Sequence, residues 1–379
     1  MRVAYGITAL AKGINGAGID GIGNYTKELY SELNGISDLE LFTYSYGVNA
    51  ACTEFGNTRL YNKYSIELVK CMMFPRAQMN SSMGEEGVDL IHSTDHLIPY
   101  VKNVPVVSTI MDAIPLSNPE WVNTSLYNRL RIKLWGKIVN RSDHILTISD
   151  YSRSEISKYF KIGLDKISVV PLGVDSRFFN EFDKSEKIEV LNKYGLKKPY
   201  CICIGTVQPR KNIERLLEAM RLLPRNLKAS LDLVIVGRYG WGCNDLIDDI
   251  AQSENEGWCK WIKYVPDYDL RGLLQSASTL VFPSLYEGFG LPVLEGFASR
   301  VPVIASNITS IPEVAGDAAI LVNPFDSLEI STAIMRIVND DVDVCSLLDK
   351  GVVRARSLTW EKSAAKTYDV YKKVICDYS

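Results

Sequence analysis

The chain has 379 residues, 46% hydrophobic and 23% charged, an ordinary globular balance that argues against disorder, collagen and coiled coil and suggests two or three domains. With 42 Lys plus Arg against 45 Asp plus Glu, the formal charge of -3 gives no support to a nucleic-acid partner. Eight cysteines without a CxxC pair and only three histidines argue against a disulfide scaffold or a structural zinc site, and no run approaches a membrane-spanning length.

RVAYGITAL reads as a first strand and lacks the cleavage region of a signal peptide. A glycine-rich stretch, GINGAGIDGIGNY, leads into the helical pattern NYTKELYSEL, with Tyr25, Leu29 and Leu33 four apart. LELFTYSYG, VDLIHS, VPVVSTIMD, HILTIS and ISVVPLGVD are successive strand candidates. DYSRSEISKYF is a helix in which Ser152 and Glu155 have capping-box spacing. Residues 50–86 read as loops plus one helix, and the charged segment 176–197 as the interdomain connection plus the opening of the second domain. The alternation then repeats through YCICIGT, NIERLLEAMRLL, LDLVIVG, WIKYV, DLRGLLQSA, STLVFPS, GLPVLEGFAS and VPVIAS, and continues in IPEVAG, AAILV and SLEISTAIMRIV. Short apolar strands separated by helices predict parallel sheets covered on both faces. Two such blocks predict two doubly wound domains, each taking ligand at the carboxyl ends of its strands, with a cleft between them. Cys201 and Cys203 alternate onto one face of YCICIGT and read as core.

Three loops have the composition of ligand sites. In the first, glycines from Gly16 to Gly23 let backbone approach a ligand, and a helix start near Asn24 would offer N–H groups to an anion. Its spacing fits neither GxGxxG nor a P-loop, so a plain flexible loop competes. In GTVQPRKNIERLL, Gly205 closes a strand, Arg210 and Lys211 precede a helix, and Asn212 is placed to cap it. Two cations beside a helix start suit a diphosphate, with a solvated charged turn as the alternative. In SLYEGFGLPVLEGFA, Glu287 lies in a glycine-flanked loop after a strand, and Glu295 lies eight residues on, among apolar neighbours. A buried carboxylate there needs donors, and sugar hydroxyls would serve; otherwise Glu295 faces solvent.

Other candidates are less decided. Ser149 and Asp150 end a strand, where either one caps a helix or both line a ligand. His92 ends VDLIHS and is either structural or turned toward the cleft; His96, nearby, earns no role. From Trp121 to Ser142 there are five cations and no acids, beside leucines at i+4 spacing. Such a helix suits anionic lipid or a lipid diphosphate, or is an ordinary packed helix with a solvated basic face.

On GIGNY, GTVQPRKNIERLLEA, EGFGLPVLE and WEKSA, the chain resembles the retaining glycosyltransferases of family 4, over about residues 1–375. The QPRKN form resembles bacterial mannosyltransferases of polysaccharide and O-antigen assembly. The resemblance implies an α/β chain of the GT-B fold, two doubly wound Rossmann-like domains facing across a cleft. These would be an acceptor-binding domain at 1–178, with a C-terminal helix at 361–379 packing back on it, and a nucleotide-sugar domain at 190–360. It implies that Glu295 holds ribose hydroxyls and Glu287 contacts the donor sugar. The backbone of Gly288, Phe289, Gly290 and Leu291 would lie against sugar and diphosphate, and Gly21 and Gly23 would approach the donor. Lys211, six residues after Gly205, would bind the diphosphate. The family commonly has arginine directly after that glycine; here Thr206 stands there, and Arg210 would supply the charge. Family members often have a histidine before an aspartate where this chain has Met111 and Asp112. Asp112 would orient acceptor or donor, or cap its turn.

The catalytic set implied is thus Glu287, Lys211, Arg210 and Asp112. The expected reaction is retaining transfer of a hexose, mannose, from GDP-mannose to a saccharide or lipid-linked saccharide. The alternatives are a UDP-hexose transferase, a GT-B sugar-nucleotide epimerase and a non-catalytic nucleotide-sugar binding protein. No cofactor beyond the donor substrate and no metal ion are expected, because two cations stand where a metal would act. A cytoplasmic location is expected, with peripheral contact between residues 126–141 and an anionic membrane.

Overall fold

The computed structural model describes residues 1–16, 18–49, 55, 58–67, 87–121 and 135–378. The chain divides into two compact units, Met1–Leu172 with Trp360–Ser379, and Gly173–Thr359.

The first unit holds a seven-stranded parallel sheet: β1 (Arg2–Gly6), β2 (Glu40–Tyr46), β3 (Arg59–Tyr61), β4 (Leu90–Ser93), β5 (Val106–Thr109), β6 (His144–Thr147) and β7 (Ile167–Val169). Their spatial order is β3-β2-β1-β4-β5-β6-β7. β4, β5 and β6 are buried throughout, the polar side chains of LIHS, VVST and HILT included. The order reverses between β1 and β4, and such a reversal opens a crevice at the carboxyl ends of the two strands. Tyr5 pairs with His92, so Thr8 and Asp95 leave the sheet at the same level.

Several elements differ from the sequence reading. A helix, Thr8–Ile14, takes over the end of the expected first strand RVAYGITAL, with Leu10 and Ala11 buried in it. The next helix begins at Gly21 rather than near Asn24, and Asp20 caps it. Strand β3 falls in a segment without a readable pattern. Helix Asp150–Phe160 is capped by Ser149, whose side chain accepts from the Ser152 N–H, so the Ser152–Glu155 pair is not the cap. Residues 122–134, the larger part of the basic helix expected at 126–141, lie outside the described residues. Among the described residues no helix is long and apolar enough to cross a membrane.

Helix Trp360–Tyr378 belongs to the first unit and closes a buried polar chain. The Tyr371 hydroxyl lies 2.5 Å from His92 Nδ1, His92 Nε2 lies 2.8 Å from Thr109 Oγ1, and that oxygen lies 2.8 Å from the Tyr25 hydroxyl. Desolvation lowers the His92 imidazole to about 3. His92 is therefore a neutral structural residue that ties β4 and β5 to two helices.

The second unit holds a six-stranded parallel sheet: β8 (Tyr200–Ile204), β9 (Asp232–Val236), β10 (Cys259–Ile262), β11 (Thr279–Phe282), β12 (Val303–Ser306) and β13 (Ile320–Val322). The order is β10-β9-β8-β11-β12-β13, reversing between β8 and β11. Cys201 and Cys203 are buried in β8. Within 176–197, read as connection and opening of the second domain, lies helix Lys184–Lys193 of the second unit, started by a capping box of Asp183 and Glu186. Helices Asn244–Asn255 and Val344–Ser357 also went unread, and β10 begins two residues before WIKYV.

Candidate functional site

Leu280 of β11 pairs with Ile202 of β8, so Gly205 and Pro283 leave the sheet side by side at the β8/β11 reversal. The two loops that start there carry the basic pair and the glutamate. Gly205 has φ +145°, a conformation that side chains disfavour. A Cβ on it would lie 3.0 Å from Lys211 Cε and 3.3 Å from Nζ. The missing side chain is thus the space through which the lysine reaches the crevice. Pro209–Lys211 form one 3-10 turn, and Asn212 follows in the left-handed region at φ +59°. Asn212 does not cap the next helix with its side chain. Its Nδ2 donates instead to the carbonyls of Pro283 at 2.9 Å and Pro324 at 2.6 Å. The Leu285 N–H donates to the Arg210 carbonyl at 2.7 Å, which couples the two loops through their backbones.

The charges close on one another. Lys211 Nζ is 2.6 Å from Glu287 Oε1, and Arg210 Nη1 is 2.6 Å from Oε2. Arg210 Nη1 also donates to the Tyr286 carbonyl at 3.2 Å, and the Lys211 ammonium lies 4.6 Å from the centre of the Phe282 ring. Glu287 is 8% exposed and Lys211 9%. Desolvation pushes the Glu287 carboxyl up, but Lys211 and Arg210 outweigh it and hold the group below its ordinary value. Desolvation lowers the Lys211 ammonium despite the carboxylate beside it. Two cations and one carboxylate leave one net positive charge. In a low-dielectric crevice that charge is poorly screened and favours an anion.

The glutamate loop is held from a third element. The Glu287 N–H donates to Thr309 Oγ1 at 3.3 Å, and Ser310 Oγ donates to the carbonyls of Glu287 and Phe289, each at 2.9 Å. Thr309 and Ser310 carry no motif. What would have found them is their place in the loop after β12, the neighbour of β11. Gly290, at φ +115°, precedes helix Leu291–Ala298, which has no side-chain cap. Its first turn therefore keeps positive potential.

Glu295 is half-buried in that helix, and its carboxylate makes no hydrogen bond among the described residues. Burial pushes this carboxyl up to about 7, with Asp175 and Asp267 adding to the rise and Lys211 opposing it. A carboxylate in that condition gains from any ligand that brings hydroxyl donors.

The structure therefore brings together Gly205, Arg210, Lys211 and Glu287, with Gly288–Leu291 continuing the same loop. The remaining candidates lie in the first unit. Asp112 Oδ1 accepts from the Ile114 N–H at 3.0 Å, a turn contact. Gly23 is buried, and a Cβ there would lie 2.7 Å from Ile19 Cγ2, so the glycine serves helix packing. Its N–H donates to Asp20 Oδ1 at 2.8 Å. The helix start expected to hold an anion thus already carries a carboxylate. Gly21 is exposed, with open space around its Cβ position.

Residues 183–350 match the family model described as Glycosyl transferases group 1, and residues 19–178 the model described as Glycosyltransferase Family 4. Over 229 residues the chain is 40% identical to O-antigen chain mannosyltransferase B of Escherichia coli, covering 60% of each. It is 30% identical over 251 residues to O-antigen chain mannosyltransferase RfbU of Salmonella typhimurium, covering 65% of this chain and 64% of that one. These matches span less than two thirds of the relatives' lengths. Among solved structures, Anabaena Alr3699/HepE in complex with UDP matches with a TM-score of 0.75 at 14% identity, over 98% of this chain and 100% of that one. That likeness is one of fold, and it places the two parallel sheets in the GT-B class.

Proposed function

Residues 19–178 and 183–350 belong to glycosyltransferase families, and on that premise we propose that the chain is a retaining transferase moving mannose from GDP-mannose to a saccharide or lipid-linked saccharide. The observation that carries this reading is the Lys211–Glu287–Arg210 cluster at the β8/β11 reversal. The choice of mannose is supported by the names of the two curated relatives, both O-antigen mannosyltransferases.

The difficult step is departure of the nucleoside diphosphate. The anomeric C–O bond breaks, and its electron pair leaves on the phosphate oxygen. Lys211, Arg210 and the uncapped start of helix Leu291–Ala298 meet the charge that develops there. Glu287 holds both cations in place and offers its carboxylate to hydroxyls of the donor sugar. Glu295 accepts from the ribose hydroxyls, which supply the donors it lacks. The acceptor hydroxyl attacks from the face the phosphate leaves, its proton passes to the departing phosphate oxygen, and configuration is retained. No protein nucleophile is assigned. Beyond donor and acceptor this reading requires no further small molecule, since the two cations carry the electrostatic work.

The test is incubation with GDP-mannose, UDP-glucose and UDP-galactose, each with a manno-oligosaccharide acceptor. GDP release with extension of the acceptor is expected from GDP-mannose. Thermal protection by a UDP-hexose without any by GDP-mannose would overturn the donor. Absence of turnover with every donor would overturn the transferase reading.

A further inference from the structure

Thr309, in the loop after β12, has φ +59° and so lies in the left-handed region. Among the described non-glycine residues with positive φ it is the one with a β-branched side chain, for which that region is a true outlier. Both ends of the loop hold it there. On one side β12 pairs with β13 through Ser306 and Val322, and the Asn307 N–H donates to the Val322 carbonyl at 2.8 Å. On the other lies the short helix Ile311–Ala315, gripped by Arg354. Arg354 Nε donates to the Val314 carbonyl at 2.9 Å, and its Nη2 to the Glu313 carbonyl at 2.6 Å. Glycine or asparagine would adopt this backbone at less cost, so a threonine there is explained by what its side chain touches.

What it touches is the glutamate loop. Thr309 Oγ1 accepts from the Glu287 N–H at 3.3 Å and makes no other hydrogen bond among the described residues. A hydroxyl that accepts still has one proton to give. The neighbouring Ser310 has spent its own on the carbonyls of Glu287 and Phe289. Thr309 is half-buried, so a molecule entering from solvent can reach its oxygen. Backbone strain of this kind persists where a loop is over-determined, as it is at ligand clamps.

The surroundings narrow the ligand group. Each oxygen of the Glu287 carboxylate holds one cation, Lys211 or Arg210, and keeps a lone pair for a further donor. A ligand hydroxyl can accept from Thr309 and donate to Glu287. A phosphate oxygen can only accept, and the carboxylate repels it.

We propose that Thr309 is a donor-sugar contact. Its hydroxyl donates to a hydroxyl of the transferred hexose while it accepts from the Glu287 N–H, so that one atom sets the sugar in register with the glutamate loop. The inference rests on the transferase reading above and deepens it. It leaves the diphosphate to Lys211 and Arg210.

Calorimetry on the full chain tests it, with GDP-mannose and UDP-glucose each set against its own nucleoside diphosphate. Thr309→Val keeps the branch and removes the hydroxyl. It is expected to weaken the sugar nucleotide about fivefold, the worth of one neutral hydrogen bond, and to leave the Kd of the bare nucleoside diphosphate unchanged. Thr309→Ser is expected to bind the sugar nucleotide as the unaltered chain does. Thr309→Gly removes the hydroxyl from a backbone that glycine fits, and it carries the test if Thr309→Val does not fold; the same selective loss is expected. Equal binding in all variants, an equal loss for sugar nucleotide and bare nucleoside diphosphate, or no rescue by serine would each overturn the proposal. Binding of neither sugar nucleotide would overturn it together with the reading it rests on. Selective loss in a chain that transfers to no acceptor would sink the transferase reading alone, whereas transfer with unmoved Kd values would sink this inference alone.

Discussion

The two order reversals, β1/β4 and β8/β11, are equivalent in topology and opposite in chemistry. At β8/β11 a buried glutamate is gripped by two cations at 2.6 Å, and the sum is positive. At β1/β4 a buried aspartate, Asp95, has one backbone partner, and Lys12 and His96 stand exposed at the rim of the cavity there. The sheet decides where each unit can hold a ligand, and a few loop residues decide which charge that ligand carries. The same contrast shows in the glycines. Gly205 opens room for a lysine, whereas Gly23 lets two helices approach and leaves Asp20 to cap.

The contrast breaks most visibly at Glu287. Glu287→Ala strands a buried lysine, so about 3–5 kcal/mol of stability should go, read from chemical denaturation. Donor turnover should fall about 10³-fold as both cations lose their anchor. A denaturation midpoint that hardly moves would mean the cluster is wet rather than buried. Lys211→Ala comes next, with kcat down about 10²-fold or more and donor KM changed less; an unchanged kcat/KM would contradict its role at the leaving group. Gly205→Ala adds about 1–3 kcal/mol of backbone strain and pushes on Lys211 Cε, so turnover and Tm should fall together.

The smaller effects are those of pH. Glu295 is raised to about 7, and ribose hydroxyls favour its ionised form. Donor affinity should therefore rise with pH up to about 7 and fall about tenfold per unit below it, and Glu295→Gln should flatten the curve. Titration calorimetry from pH 5 to 8 reads this directly; an identical slope in the variant would remove Glu295 from donor binding. The same group makes the folded second unit bind a proton between the ordinary glutamate value and 7. Its contribution to stability is thus fully present at acid pH and lost as pH rises through 7.

The first unit shows the reverse. His92 is lowered to about 3 and His144 to about 4, both by desolvation foremost. Their contribution is present above the ordinary histidine value and lost as pH falls toward 3–4. NMR titration should find neither imidazole protonating between pH 5 and 8. An inflection near 6.5 at His92 would mean that its buried network opens.

Much of the sheet scaffold was legible because buried parallel strands are short apolar runs, and YCICI, DLVIV and TLVF needed no partner to be seen. Helices that lie on the surface were not. Lys184–Lys193 buries only Val190, so its apolar period is nearly blank, although its Asp183–Glu186 capping box stood in plain sight. At the site, residue types were readable but partnerships were not. Glu287 and Lys211 lie 76 positions apart and meet only because β11 pairs with β8. Thr309 escaped because a threonine after a strand carries no pattern of its own; a positive φ and a contact with Glu287, both properties of the folded chain, are what single it out.

The helix Trp360–Tyr378 has a consequence for how the chain is made. Tyr371 completes a hydrogen-bonded chain with His92, a partner 279 positions upstream. A ribosome will have released nearly all of the second unit before that hydroxyl exists, so the unit translated first is the one that finishes last. During that interval the nascent first unit leaves His92 without its Tyr371 partner and helix Gly21–Leu33 without the helix that covers it. A stop codon that removed only this last helix would be expected to leave the second unit folded and hand the first to chaperones.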